Sequence, residues 1–229
     1  MGKHYTVVQG DYLSKIAKDH GFSDYLALWN HPENAKLKKE RENPNVLYPG
    51  DKVFIPDKEE KVASISTDAK HRFEVTRKPL MLRLIIEDMY EKPRSETECE
   101  LIVGSKRIPD LVTDGQGKIQ TEIAAGETEA FLTLKKSKKK PEAQQIEIIV
   151  PIKIGSLNPI TKISGQKGRL NNLGYFAGTP EESDDEDPKA TEDITFRSAV
   201  EEFQCDHSLA VDGKCGPNTQ AKLRQVHGC

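Results

Sequence analysis

The sequence predicts an α+β chain built from several small domains. Three observations point there. Only 35% of the 229 residues are hydrophobic and 6% aromatic, less apolar material than one globule of this length usually buries. The start of the chain alternates strand-like and helix-like segments. Its middle reads as short strands, and its last third as amphipathic helices. Mass action against a charged partner finds no support, because 34 Lys+Arg stand against 37 Asp+Glu for a net charge of -3. That balance gives no nucleic-acid surface or polybasic membrane patch. The apolar runs are as short as Leu84-Ile85-Ile86 and Ile148-Ile149-Val150, too short to insert in a membrane. The N-terminus shows no apolar stretch followed by a small-residue cleavage site, so the expectation is synthesis in the cytoplasm, with the cysteines as thiols unless the protein is exported.

The expected divisions are a first domain over 1–57, a linker over 58–72, a strand-rich domain over 73–155 and a helical domain over 156–229 carrying an acidic insertion at 180–192. In the first, residues 4–8 form a strand and Gln9-Gly10-Asp11 a turn. Residues 12–20 form a helix with Leu13, Ile16 and Ala17 on one side, ended by Gly21. Ser23-Asp24 can cap a second helix whose inward side is Leu26, Leu28 and Trp29. A polar stretch covers 34–45, and a second strand covers 52–55 after the Pro49-Gly50-Asp51 turn.

The second region alternates. Leu80, Leu82, Leu84 and Ile86 share one parity, as do Cys99, Leu101 and Val103, then Ala130, Leu132 and Leu134. The turn at 113–117 leads into Ile119 and Ile123, and 145–154 is the last and most apolar strand. Short strands between glycine turns suggest a β-sandwich. The lysine run 135–140 reads as a solvated loop.

The third region has a helix over 165–173 with Leu170 and Leu173 inward, stopped by Gly174. Residues 181–187 hold six acids in seven positions and predict a mobile loop of solvated carboxylates. Phe196, Ala199, Val200 and Phe203 mark one face of a second helix. Pro217 starts a third with Ala221 and Leu223 inward.

Each of these regions carries a resemblance. Tyr5-x-Val7-x-x-Gly10-Asp11-x-Leu13-x-x-Ile16-Ala17, then Trp29-Asn30, then Leu47-x-Pro49-Gly50-Asp51-x-Val53-x-Ile55-Pro56, resembles a LysM domain of βααβ order. It departs at Tyr12, where threonine is common in the family, and in its long 31–45 segment. The form of that segment is similar to a subgroup met in bacterial contractile injection systems such as type VI secretion. Gly165-x-x-x-Arg169-Leu170-x-x-Leu173-Gly174-Tyr175, then Phe203-Gln204, Val211-Asp212-Gly213 and Gly216-Pro217-x-Thr219, resembles the peptidoglycan-binding type 1 domain, a three-helix module. The departures are Ser208 where glycine is common, the acidic insertion and the cysteines beside the loop. The turn at 113–117 resembles transthyretin-like or immunoglobulin-like modules.

The resemblances imply sites. In a LysM groove, Gly10, Asp11 and Tyr12 would face Asn45, Val46, Leu47 and Tyr48, with backbone groups bonding N-acetyl groups and Tyr12 or Tyr48 stacking a sugar. The glycines serve equally as plain turns, and Leu47 as core. In the C-terminal module, Arg169, Asp212 and Thr219 are candidate ligand contacts, although Asp212-Gly213 also makes a turn and Thr219 sits in a first helical turn. Cys205, Cys215 and Cys229 can pair as a disulfide after export. With His207 and His227 they can also gather zinc, but their spacing fits no zinc motif, so no metal is expected.

No nucleophile elbow, zinc-protease motif or phosphate loop occurs, and the sequence indicates no carboxylate pair facing across a cleft, so neither catalysis nor a cofactor is expected. The expected function is non-enzymatic binding. One form is an accessory, adaptor or spike- or baseplate-associated part of an injection apparatus, with spike, baseplate or effector proteins as partners. The other binds peptidoglycan or N-acetylated glycan chains and acts with a separate wall hydrolase.

Overall fold

The computed structural model describes residues 2–58, 64–72, 79–88, 90, 92–135 and 147–229. Most of the lysine run and part of the expected linker lie outside them. The protein combines helices with antiparallel sheets. Its packing divides it into two compact units. One holds Met1–Tyr5, Asp11–Asn34 and Phe54–Ile154; the other holds Thr6–Gly10, Ala35–Val53 and Gly155–Cys229.

At the N-terminus, β1 (Lys3–Thr6) and β2 (Lys52–Ile55) form a two-stranded sheet. Between them, α1 (Leu13–Asp19) buries Leu13, Ile16 and Ala17 as the pattern predicts. It ends at Gly21, whose φ of +73° suits a residue without a Cβ. The single-turn α2 (Leu26–Trp29) buries Leu28 and Trp29 and leaves Leu26 half-buried, because one turn cannot face three neighbouring positions inward. Asp24 caps it by accepting from the Leu26 N–H at 2.9 Å.

The polar stretch holds more structure than expected. Pro32–Asn34 forms a 3-10 turn and Ala35–Arg41 a third helix, α3. The order is therefore not simply βααβ. Leu37 is the only core residue of α3 and shows no period. What fixes the segment is Asn34, 2% exposed. Its Nδ2 donates to the Leu28 and Phe54 carbonyls at 2.9 Å each, and its Oδ1 accepts from the Phe54 N–H at 2.7 Å. A side-chain amide thus satisfies the backbone of β2.

Among the described residues six strands follow: β3 (Leu80–Ile85), β4 (Glu98–Val103), β5 (Lys106–Val112), β6 (Lys118–Ile123), β7 (Glu129–Leu134) and β8 (Ile148–Lys153). β3 pairs with β6, and the other four run in the order β5-β4-β7-β8. One apolar cluster is fed by both sheets. Cys99, Leu101, Val103, Ile119, Ile123, Ala130, Leu132 and Leu134 are buried in it, with Leu80, Leu82, Leu84 and Ile86 packed against them. Each parity read from the sequence faces this core. β5 was not legible. A bulge opposite Cys99–Leu101 gives its inward residues Ile108 and Leu111 a spacing of three, which breaks the alternation, and its Pro109 sits at a sheet edge. β8 lies at the other edge, and its Ile149, paired with Thr133 on the face away from the core, is 62% exposed despite the apolar run.

In the C-terminal region α4 (Ile163–Asn172), α5 (Ile194–Asp206) and α6 (Pro217–His227) share a core of Leu170, Tyr175, Phe196, Val200, Phe203 and Leu223. Asp193 caps α5 by accepting from the Thr195 and Phe196 N–H groups. Ala221 is exposed, contrary to its expected inward position; Thr219 and Leu223, one turn apart, hold the inward face of α6.

The acidic insertion is ordered, which corrects the mobile loop the sequence predicts. Glu182–Asp185 is a 3-10 turn with reciprocal capping bonds between Glu181 and Asp184. Asp185 accepts from the Ser164 N–H at 2.9 Å and Oγ at 2.7 Å, and Asp184 pairs with buried Lys167 at 3.0 Å. Charge count alone missed these partners, because two of the carboxylates answer donors on α4.

Candidate functional site

Gly10 stands at φ +88° with nothing within 4 Å of where a Cβ would sit, so its role is the turn. Asp11, placed in the expected groove, is 2% exposed. Its carboxylate accepts from the Tyr5 hydroxyl at 2.8 Å and from the Lys15 ammonium. The bond to Asp11 pushes the Tyr5 hydroxyl up to about 12. Tyr12 is 1% exposed. Its hydroxyl donates to the Glu127 carbonyl at 3.0 Å and accepts from the Gly126 N–H at 2.7 Å. Burial raises its pKa. Lys18, one turn and a half along α1, donates to the Ala125 carbonyl at 2.7 Å. The ring expected to stack a sugar instead ties α1 to the β6–β7 turn.

Val46 and Leu47 are buried, at 7% and 3%. The Asn45 N–H donates to Asn43 Oδ1 at 2.9 Å, which makes a local turn. Tyr48 is half-buried. Its hydroxyl donates to Asp185 Oδ2 at 3.0 Å, and the Lys162 ammonium lies 4.5 Å from its ring centre. Its N–H donates to Asp51, whose two oxygens also receive the Arg41 guanidinium at 2.7 and 2.6 Å. That bond raises the Arg41 pKa. This second ring is also engaged by the chain itself.

Arg169 is the largest fully buried side chain among the described residues, 2% exposed. It donates to the main-chain oxygens of Cys229, Asn158 and Gly165, each at 2.8 Å, and burial lowers its pKa. It lines a cavity of about 450 Å³ with Val46, Thr161 and Arg224 among others. The other arginines of that cavity are paired, Arg41 with Asp51 and Arg224 with Glu42.

Asp212 and Thr219 come together, but around a residue the sequence reading left out of the site. Gln204, 1% exposed, donates through Nε2 to Asp212 Oδ1 at 2.8 Å, Thr219 Oγ1 at 3.0 Å and the Lys214 carbonyl at 3.1 Å. Its Oε1 accepts from the Asp212 and Gly213 N–H groups at 3.0 Å each. The Gln204 bond holds the Asp212 carboxyl below its usual range. A glutamine beside a core phenylalanine was the available signal: a polar side chain on the buried face of α5 must find partners.

Cys205, Cys215 and Cys229 are free thiols, the first exposed and the others half-buried. Cys229 Sγ lies 3.2 Å from His227 Nδ1. Burial pushes the Cys215 thiol up to about 12. No group of three or more metal-ligating side chains occurs among the described residues, and no helix there is long and apolar enough to cross a membrane.

Residues 5–39 match the LysM domain. Residues 167–223 match the putative peptidoglycan binding domain. No curated protein and no solved structure matches the chain. The LysM match takes in Gly10, Asp11 and Tyr12 and stops short of Asn45 to Tyr48. The second match takes in Arg169, Gln204, Asp212 and Thr219. Two domains of peptidoglycan-binding type support a cell-wall binding role, and neither match links the chain to an injection apparatus.

Proposed function

We propose that the protein is a non-enzymatic cell-wall binder whose ligand is the N-acetylated glycan of peptidoglycan. The observation that carries this is the presence of two different wall-binding-type domains in one chain. Two weak sites on one chain raise avidity without any new contact, because the second binding step becomes intramolecular. The finer fold reading goes with it: the two sheets close as a sandwich, and the C-terminal helices form a three-helix module. A separate hydrolase would supply any wall cleavage.

The test is co-sedimentation of the full chain with purified, protein-free sacculi. The expected result is that most of the protein pellets and that dye-labelled sacculi release no dye. Protein that stays in the supernatant at every sacculus concentration overturns the reading.

One observation favours a second reading. Tyr12 and Tyr48, the two rings expected to meet sugar, are held by groups of the same chain. A LysM domain so engaged serves as a docking fold. The protein would then be an adaptor or spike- or baseplate-associated part of a contractile injection apparatus, made in the cytoplasm and carried out with it. Cross-linking that recovers a spike or baseplate protein, with no sacculus binding, selects this reading over the first.

A further inference from the structure

The helix α4 ends in a short segment with an unusual distribution of anchored and unspent groups. Gly174 takes φ +94° after the last turn, and the Tyr175 N–H returns to the Leu170 carbonyl at 3.0 Å. Tyr175 enters the core: its ring packs edge-on to Phe203 at 5.6 Å, and its hydroxyl donates to Asp206 at 3.0 Å. Ala177 is fully buried. Its N–H donates to Asn171 Oδ1 at 2.8 Å, and Asn171 Nδ2 donates to the Gly178 carbonyl at 2.8 Å. Phe176 stands between the inward residues Tyr175 and Ala177 and points outward; it is 78% exposed.

The segment is therefore braced, and its outward groups are free. The N–H groups of Phe176, Gly178 and Thr179 make no bond among the described residues. They border a shallow depression of about 330 Å³ lined by Asn171, Gly174, Phe176, Gly178, Thr179 and Pro180. Nothing lies within 4 Å of where a Gly174 Cβ would sit, so the space beside the ring is open.

The lining carries no charged side chain. Lys167 approaches Gly178 from below, but it is 4% exposed and already paired with Asp184. A carboxylate or phosphate ligand finds no counter-charge there. A neutral pyranose finds what it needs. Its C–H face stacks on the phenylalanine ring, while its hydroxyl and N-acetyl oxygens accept from the free amides.

We propose that Phe176 and the amides of Phe176, Gly178 and Thr179 form a binding subsite for one N-acetylated sugar ring of a glycan chain. This rests on the wall-binding reading above and names the place where it acts. The rigid loop adds little ordering cost on binding.

The test uses the full chain in three forms: unaltered, Phe176→Ala and Phe176→Trp. Each is pelleted with protein-free sacculi, and the unaltered chain is titrated with the N-acetylglucosamine tetramer while amide NMR signals are followed. The expected result is at least about tenfold weaker sacculus binding for Phe176→Ala, the effect of truncating an aromatic anchor, with Phe176→Trp retained. The amide signals of Phe176, Gly178 and Thr179 shift with the tetramer. Unaltered thermal unfolding of Phe176→Ala shows that the loss is local. If the unaltered chain and Phe176→Ala pellet alike, or the tetramer moves only other signals, the subsite is overturned and wall binding stands. If the unaltered chain does not pellet, wall binding is overturned and the subsite with it.

Discussion

Tyr12 and Phe176 are both aromatic residues at a turn beside a helix, in the two domains that match wall-binding families. One is 1% exposed and the other 78%. The hydroxyl explains much of the contrast. Tyr12 carries a group that both donates and accepts, and the β6–β7 turn offers a carbonyl and an N–H within reach. Phe176 has nothing to offer a polar partner, and its buried neighbours turn it outward. At Tyr12 the bonding capacity is consumed by the fold; at Phe176 the ring face stays available. The same contrast runs through the candidate contacts, since Asp11, Arg169, Asp212 and Thr219 all satisfy partners within the chain.

The largest effect expected is at Arg169. If it is structural, Arg169→Met removes the side-chain donor from two buried carbonyls and one part-buried main-chain oxygen and costs on the order of 3 kcal/mol. A shift of the urea midpoint checks this. An unchanged midpoint together with lost sacculus binding would return Arg169 to the ligand site.

Acid sharpens the picture next. Burial, helped by the charge of Arg169, lowers His227 from 6.5 to about 4. The unfolded chain takes up that proton first, so stability is fully present above about pH 6.5 and falls as pH drops toward 4. The expected contribution is about 3 kcal/mol across that window. Unfolding at pH 7 and pH 4.5, for the unaltered chain and His227→Gln, measures it; equal pH dependence in both would remove His227 as the cause.

Tyr12→Phe leaves the Gly126 N–H and the Glu127 carbonyl without their partner and costs about 1–2 kcal/mol, with sacculus binding intact. Weaker pelleting at unchanged stability would break the contrast between the two rings. Smallest is the stability change for Phe176→Ala, within about 0.5 kcal/mol, because an exposed ring contributes little to packing. A larger drop in the melting temperature would mean that Phe176 is packed after all.

Much of the fold was legible because periodicity reports burial directly. The parities of β3, β4 and β7 and the Phe196 to Phe203 face all point into the cores as read. Elements with weak or broken periods were hidden. The bulge in β5 spaced Ile108 and Leu111 three apart, and α3 contributed Leu37 alone. The candidate contacts were legible as special residues but not as to purpose. Nothing in the spacing of Tyr12 told whether its partner would be a sugar or Gly126, more than a hundred positions away.

By itself the sequence determined the kinds of domain, the core faces, the turn glycines and the absence of familiar catalytic motifs, because these are local patterns that burial and backbone sterics impose over a few residues. Tertiary structure alone decided which polar groups were already spent. It ordered the acidic insertion on Ser164 and Lys167, gathered Asp212 and Thr219 on Gln204, and turned Phe176 rather than Tyr175 to the outside. Those outcomes depend on donors and acceptors brought together from distant positions, and a hydrogen bond carries no trace in the chain until the fold closes the distance.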